Sequence, residues 1–284
     1  MRPFAALAAL LLATPALAFD EAKPLAVLRA EEARLKARLG VAVLDKADGR
    51  VMRYRADERF ALASTHKAFG CAALLAKAEK GETSMQKRIT FVPTDLVAYS
   101  PVTQDRIAPD AMSLAELCAA AVSQSDNTAA NLVTQAVGGP ADVTAFFRSL
   151  GDETSRLDRE EPELNEAEPG DARDTTTPAA AVADLDKILL GSVLKPAARE
   201  RLKQWMFGDR VAGALLRKAL PEDWRIADKT GAGGHGSRGI VAVMWPPDRA
   251  PLVAAIYIAD TTASLAERDA VIARIGAALV EAAR

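Results

Sequence analysis

Ser64-Thr65-His66-Lys67 sets a hydroxyl and an amine at i and i+3. On a helix those positions are neighbours on one face, and a serine at the first turn feels the positive end of the helix dipole. A serine hydroxyl is a weak nucleophile until a base within hydrogen-bond reach takes its proton. Lys67 lies one turn away. Its ordinary pKa of about 10.4 suits it to that task only where burial and nearby cations favour the neutral amine. Lys229 is such a cation. Glu161, acting through a water molecule, is the second candidate base, and the sequence leaves both open. The bland reading is an exposed Ser-Lys pair on an ordinary helix.

Three further fragments follow in order: Ser125-Asp126-Asn127, Glu161-Pro162-Glu163-Leu164-Asn165 and Lys229-Thr230-Gly231. Each alone is a weak signal; the order and spacing are strong. Ser-x-x-Lys, Ser-Asp-Asn and Lys-Thr-Gly together form the signature of class A β-lactamases and penicillin-binding proteins. The chain resembles a class A serine β-lactamase over nearly its whole mature length. The resemblance implies a nucleophilic Ser64, with Lys67, Ser125 and Glu161 completing the catalytic set and no cofactor. Ser125 would pass a proton to the departing nitrogen, and Asn127 would hold the substrate's acylamino group. The N–H groups of Ser64 and Ala232 would bind the oxyanion, and Glu161 with Asn165 would hold the deacylating water. Thr230 and Arg238 would face the substrate carboxylate, Lys229 would belong to the substrate-binding set, Tyr99 would wall the mouth, and Arg159 with Asp174 would close the loop at its neck. An arginine in a strand is also commonly just solvated, and Tyr99 also fits a packed loop residue. Glu160 stands where an aromatic residue is common; it either raises the Glu161 pKa or faces solvent. His66 replaces the more usual carbon ring and reads as a packing residue. A D-alanyl-D-alanine carboxypeptidase would share acylation but not Glu161, and a β-lactam-binding sensor would acylate and stay acylated.

The chain has 284 residues, 50% hydrophobic and 26% charged, with 36 Lys and Arg against 38 Asp and Glu. That is a soluble globular composition with ample core and no basic stripe, so nucleic acid is not an expected partner. Residues 1–18 carry Arg2, an apolar run from Ala5 to Leu12, and Ala16-Leu17-Ala18, the pattern of a cleavable secretory signal. The alternative, a membrane anchor, needs a longer apolar run. The expected mature chain is a periplasmic monomer starting at Phe19 and acting on a small-molecule β-lactam. Two histidines are too few for a zinc hydrolase site, so no metal is expected. Cys71 and Cys118 suit a disulfide in an oxidising compartment, with two free buried thiols as the alternative.

A helix is expected over 22–39, stopping at Gly40. A hairpin follows, 41–44 with 51–54 around Asp48-Gly49. Helices are expected over 64–80, from Ser113 to about Val122 behind a Ser113–Glu116 capping box, and over 127–137, 140–150, 178–190 and 196–207. Residues 151–177 are rich in Asp and Glu, broken by Pro162, Pro169 and Gly170, and lack periodicity; a loop this long is usually functional. Strands return at 225–229, 239–245 and 252–259 before a last helix from Ser264 to Ala283. The fold class is α/β (α+β): an antiparallel five-stranded sheet built from both termini, as the resemblance implies, with an inserted all-helical domain and the site between them. The divisions are 19–60 with 211–284 for the sheet part and 61–210 for the helical part, including the loop 156–174.

Overall fold

A computed structural model describes residues 19–284. The expected leader, 1–18, lies outside the described residues.

Helix α1 (Ala22–Leu35) precedes strands β1 (Arg38–Asp45) and β2 (Val51–Tyr54). Helices α2 (His66–Glu79), α3 (Leu114–Ser123), α4 (Asn127–Val137), α5 (Pro140–Ser149), α6 (Pro178–Leu189), α7 (Pro196–Phe207) and the short α8 (Leu216–Ala219) fill the middle. Strands β3 (Arg225–Ala232), β4 (Arg238–Trp245) and β5 (Leu252–Ala259) and helix α9 (Leu265–Ala282) end the chain. The five strands form one sheet in the order β2-β1-β5-β4-β3, every neighbouring pair antiparallel. Asp48-Gly49 closes the hairpin as expected, with Val41 opposite Tyr54 and Leu44 opposite Val51.

The central strand β5 is buried along its entire length. Because side chains alternate faces, Leu252, Ala254, Ile256 and Ile258 join one apolar cluster with Leu28 of α1 and Ile272 and Ile275 of α9. Val253, Ala255 and Tyr257 join the other, with α2, α3, α4 and α6. Fully burying each of the Val, Leu and Ile side chains among them contributes roughly 1.5–3 kcal/mol. The sheet is therefore covered on both faces, and the edge strand β3 is the one that meets the site.

The expected stop of the first helix at Gly40 is wrong. The helix ends at Leu35, where Lys36 adopts a left-handed conformation (φ 48°). Gly40 lies inside β1 opposite Tyr257, and it is glycine because a Cβ there would run into the Phe60 ring. The helix expected from Ser64 opens as a 3₁₀ turn over Ala63–Thr65 before α2 begins. Ser113 and Glu116 form the expected capping box on α3, and Pro140, Pro178 and Pro196 open their helices as expected. The short α8 and the paired two-residue strands Phe60–Ala61 with Thr175–Thr176, and Arg88–Ile89 with Met112–Ser113, had no counterpart in the sequence reading.

Candidate active site

Helix α2 is buried from His66 to Leu75 and apolar on all sides after Lys67, so it runs through the helical core with only its start at the cleft. Ser64 sits at that start. The edge strand β3 crosses it closely: a Cβ on Gly231 would lie 2.9 Å from the Ser64 nitrogen and 3.1 Å from the Leu62 carbonyl oxygen. Only glycine lets the Lys229-Thr230-Gly231 strand approach Ser64 this way. Ser125 arrives from the turn before α4, which Asp126 caps by accepting from the Ala129 N–H at 2.8 Å. Asp126 also accepts from Val102 N, Thr103 N and Thr103 Oγ1, tying the loop that carries Tyr99 to α4.

A cleft of about 390 Å³ opens here, lined by Ser64, Tyr99, Ser125, Asn127 and Asn165 and, from the sheet, by Thr230, Ala232 and Arg238. Lys67, Glu161 and Lys229 stand behind this wall, 2%, 2% and 0% exposed. Every candidate site residue of the sequence thus falls in or against one cleft, apart from Arg159 and Asp174, which pair at 2.6 Å at the neck of the loop.

Ser64 Oγ lies 3.4 Å from Glu161 Oε1. Lys67 Nζ lies 3.0 Å from the same oxygen, 2.8 Å from the Ser125 carbonyl oxygen and 2.5 Å from Asn127 Oδ1. Three acceptors thus take the three protons of an ammonium, leaving no lone pair toward Ser64. Lys229 Nζ donates to Ser125 Oγ at 3.1 Å and to the Thr230 carbonyl at 3.0 Å. Burial pulls Lys67 below the usual lysine range, against the opposing pull of Glu161. Burial likewise lowers Lys229, to about 8. For Glu161 burial acts upward, but the Lys67 charge, then His66, and hydrogen bonds from Lys67 and Asn165 outweigh it and leave the carboxyl below its ordinary value. Of the two readings of Glu160, the one that raises the Glu161 pKa is not followed, since the net shift is downward; Glu160 accepts from Gln135 Nε2 at 3.4 Å in an exposed contact.

Glu161 is held by the loop and by α4 together. Asn131 donates to the Glu161 carbonyl and accepts from its N–H, both at 2.8 Å, and Asn165 Nδ2 donates to Oε2. Asn131 was missed in the sequence; its signal is the spacing of four from Asn127, which sets both amides on one face of α4. The loop rests on the sheet through Gly234 N–H, which donates to the Asn165 carbonyl at 2.8 Å. Arg238 is buried rather than solvated, paired with Asp269 of α9 at 2.6 Å and donating to the Gly231 carbonyl at 3.1 Å. Asp269, Val211 and Leu265 also line the cleft and were not foreseen. Tyr99 is 58% exposed, so it is no packed loop residue. Ala63, Tyr99, Ser125 and Asp174 all take positive φ, a concentration of backbone strain typical of working sites. Cys71 and Cys118 are joined in a disulfide that ties α2 to α3. Among the described residues no group of three or more His, Cys, Asp or Glu could hold a metal ion.

The model of the beta-lactamase enzyme family matches residues 24–283. Beta-lactamase AER-1 of Aeromonas hydrophila is 53% identical over 266 residues, 94% of this chain and 88% of that protein. Among solved structures, the ancestral class A beta-lactamase of Gram-negative bacteria (GNCA) superposes with a TM-score of 0.88 at 53% identity, covering 90% of this chain and 98% of that one. The chromosome-encoded beta-lactamase of Vibrio parahaemolyticus does so with a TM-score of 0.87 at 42% identity, covering 89% and 96%. A cleft-lining Ser64 with Lys67 and Glu161 buried behind it and similarity along nearly the whole chain lead to one assignment: this protein belongs to the class A serine β-lactamases.

Proposed function

We propose that this β-lactamase opens penicillins and early cephalosporins through an acyl-enzyme on Ser64, with Glu161 as the base in both halves of the reaction. The observation that carries the reading is the contact of Ser64 Oγ with Glu161 Oε1 at 3.4 Å while all three Lys67 protons are engaged elsewhere. Glu161 takes the hydroxyl proton as Oγ bonds to the lactam carbonyl carbon. The Ser64 and Ala232 N–H groups hold the resulting oxyanion. The C–N bond then breaks, its electron pair going to nitrogen, which takes a proton from Ser125. Lys67, 3.5 Å from Ser125 Oγ, relays the proton from Glu161 to restore that hydroxyl. In the second half Glu161 takes a proton from water, the hydroxide attacks the ester, and Ser64 leaves with the proton. Lys229, Thr230 and Arg238 receive the substrate carboxylate, Asn127 the acylamino group and Asn165 the water, while Tyr99 walls the mouth.

Around this site we read the sheet part as residues 19–60 with 211–284 and the helical part as 61–210. The Cys71–Cys118 disulfide suits an oxidising compartment, which supports export to the periplasm; we read the exported chain as a monomer cleaved behind Ala18. Replacing Ser64 by alanine tests the nucleophile: nitrocefin turnover should vanish while the circular dichroism spectrum is unchanged. More than trace turnover from a pure, folded Ser64→Ala preparation would sink the assignment.

A further inference from the structure

His66 stands between the serine and the lysine of the reactive motif, only 2% exposed. Its Nδ1 lies 2.8 Å from the Ala63 carbonyl oxygen. A carbonyl can only accept, so Nδ1 carries the proton. Burial, the largest influence, takes the imidazole pKa down to about 4, so the ring is neutral at neutral pH and a single tautomer serves this bond. The His66 backbone N–H donates to the same oxygen. Residue 66 thus grips the Ala63 carbonyl twice.

That carbonyl belongs to the peptide unit joining Ala63 to Ser64, whose other end is the Ser64 N–H. The unit is planar, so fixing the direction of its C=O fixes the direction of its N–H. It also needs fixing, because Ala63 holds φ at 40°, a left-handed conformation that a residue with a Cβ resists. A hydrogen bond accepted at the oxygen further polarises the N–H at the opposite end.

We infer that His66 is a positioning residue for the oxyanion hole, its Nδ1–H clamping the Ala63–Ser64 peptide so that the Ser64 N–H points at the developing oxyanion. The inference rests on the proposed role of that N–H. A carbon ring at this position fills the same space without a donor, so the clamp tunes the hole rather than creating it. Its weight is that of one ordinary hydrogen bond, about fivefold in the acylation rate.

The test uses a Glu161→Gln background, in which the penicillin acyl-enzyme should accumulate, and reads both the acylation rate and the infrared band of the ester carbonyl. His66→Phe keeps a ring and loses the donor. It should slow acylation by about fivefold and move the ester band to higher wavenumber, as for a carbonyl less polarised by its donors. His66→Asn sets an amide N–H the same number of bonds from Cβ, and should restore both readouts while filling less space. Circular dichroism decides whether His66→Phe is folded; His66→Leu replaces it if not. The clamp is refuted if the donor-free variant matches His66 in rate and band, or if the asparagine variant is as slow as the donor-free one with the band unmoved. Absence of any acyl-enzyme in the Glu161→Gln parent would instead remove the acylation reading beneath the proposal, and the proposal with it.

Discussion

Lys67, Lys229 and Glu161 share one buried wall, where the charges of Lys67 and Glu161 act on each other and that of Lys67 also acts on Lys229. Burial holds Lys229 near 8, so its positive charge is complete well below that pH and is lost as pH rises through it. Glu161, held below its ordinary value by Lys67, stays ionised down to more acidic pH than a free glutamate. kcat/KM for penicillin should therefore be flat through neutrality, fall on the alkaline side near pH 8, and fall on the acid side only below the usual glutamate range. Arginine keeps its charge to far higher pH, so Lys229→Arg should lower activity yet move the alkaline limb upward. An unmoved limb would show that another group titrates there. The identities and spacing of Ser64, Lys67, Ser125, Glu161 and Lys229 were legible because reactive groups are sparse and their order is informative. Asn131 and Asp269 were not, since an amide and a carboxylate acquire their roles only from what the fold sets opposite them. The direction of the Glu161 shift was equally hidden, because the adjacent Glu160 is visible in the chain while the opposing Lys67 charge is brought up by packing.

Elements position the site through a few fastenings. The disulfide ties α2 to α3 across a sequence separation of 47. On the chain-entropy model such a link stabilises by roughly 4 kcal/mol, so Cys71→Ser with Cys118→Ser should lower the melting temperature by several degrees. Thiol titration of the denatured, unreduced protein should find no free thiol. A second fastening is a liability. Asp184 of α6 is fully buried beside Asp152 at the head of the long loop, and the two carboxyls can share a hydrogen bond only if one of them carries a proton. Burial first, then the Asp152 charge, raises its pKa to about 8. A carboxyl with a raised folded-state pKa contributes stability that is complete below the unfolded value, near 4, and is lost as pH rises toward 8. Asp184→Asn should therefore melt higher than the parent at pH 8 and level with it near pH 4; an equal difference at both would remove the titration argument. Helices with local signals, such as Ser113 with Glu116 or a leading proline, could be read from the chain. The end of α1 could not, because Gly40 answers to Phe60 across the sheet rather than to a helix terminus.

The whole molecule sets a sheet drawn from both ends of the chain against a helical middle, and the proposed nucleophile, base and carboxylate-facing strand come from three separate stretches. Ser64 lies in the 3₁₀ turn that leads into α2, Lys229 lies on β3, and Glu161 lies on a loop pinned to α4 by Asn131 and to the turn between β3 and β4 by Gly234. That convergence favours hydrolysis over capture alone, because the role proposed for Glu161 completes the second half of the reaction. Glu161→Gln keeps Ser64, Lys67 and Ser125 and removes the base, so deacylation should slow by at least the 10²–10⁴-fold typical of general-base catalysis. Since acylation draws on the same base, it too should slow, but less, because the strained lactam is a better acyl donor than the ester is an acceptor of water. The decisive measurement is the intact mass of folded Glu161→Gln after brief mixing with penicillin. The expected result is a chain heavier by one whole penicillin, beside a parent enzyme that remains mostly free. Wild-type turnover by the folded mutant, with no covalent adduct at any time, would contradict a Ser64 acyl-enzyme cleared by Glu161.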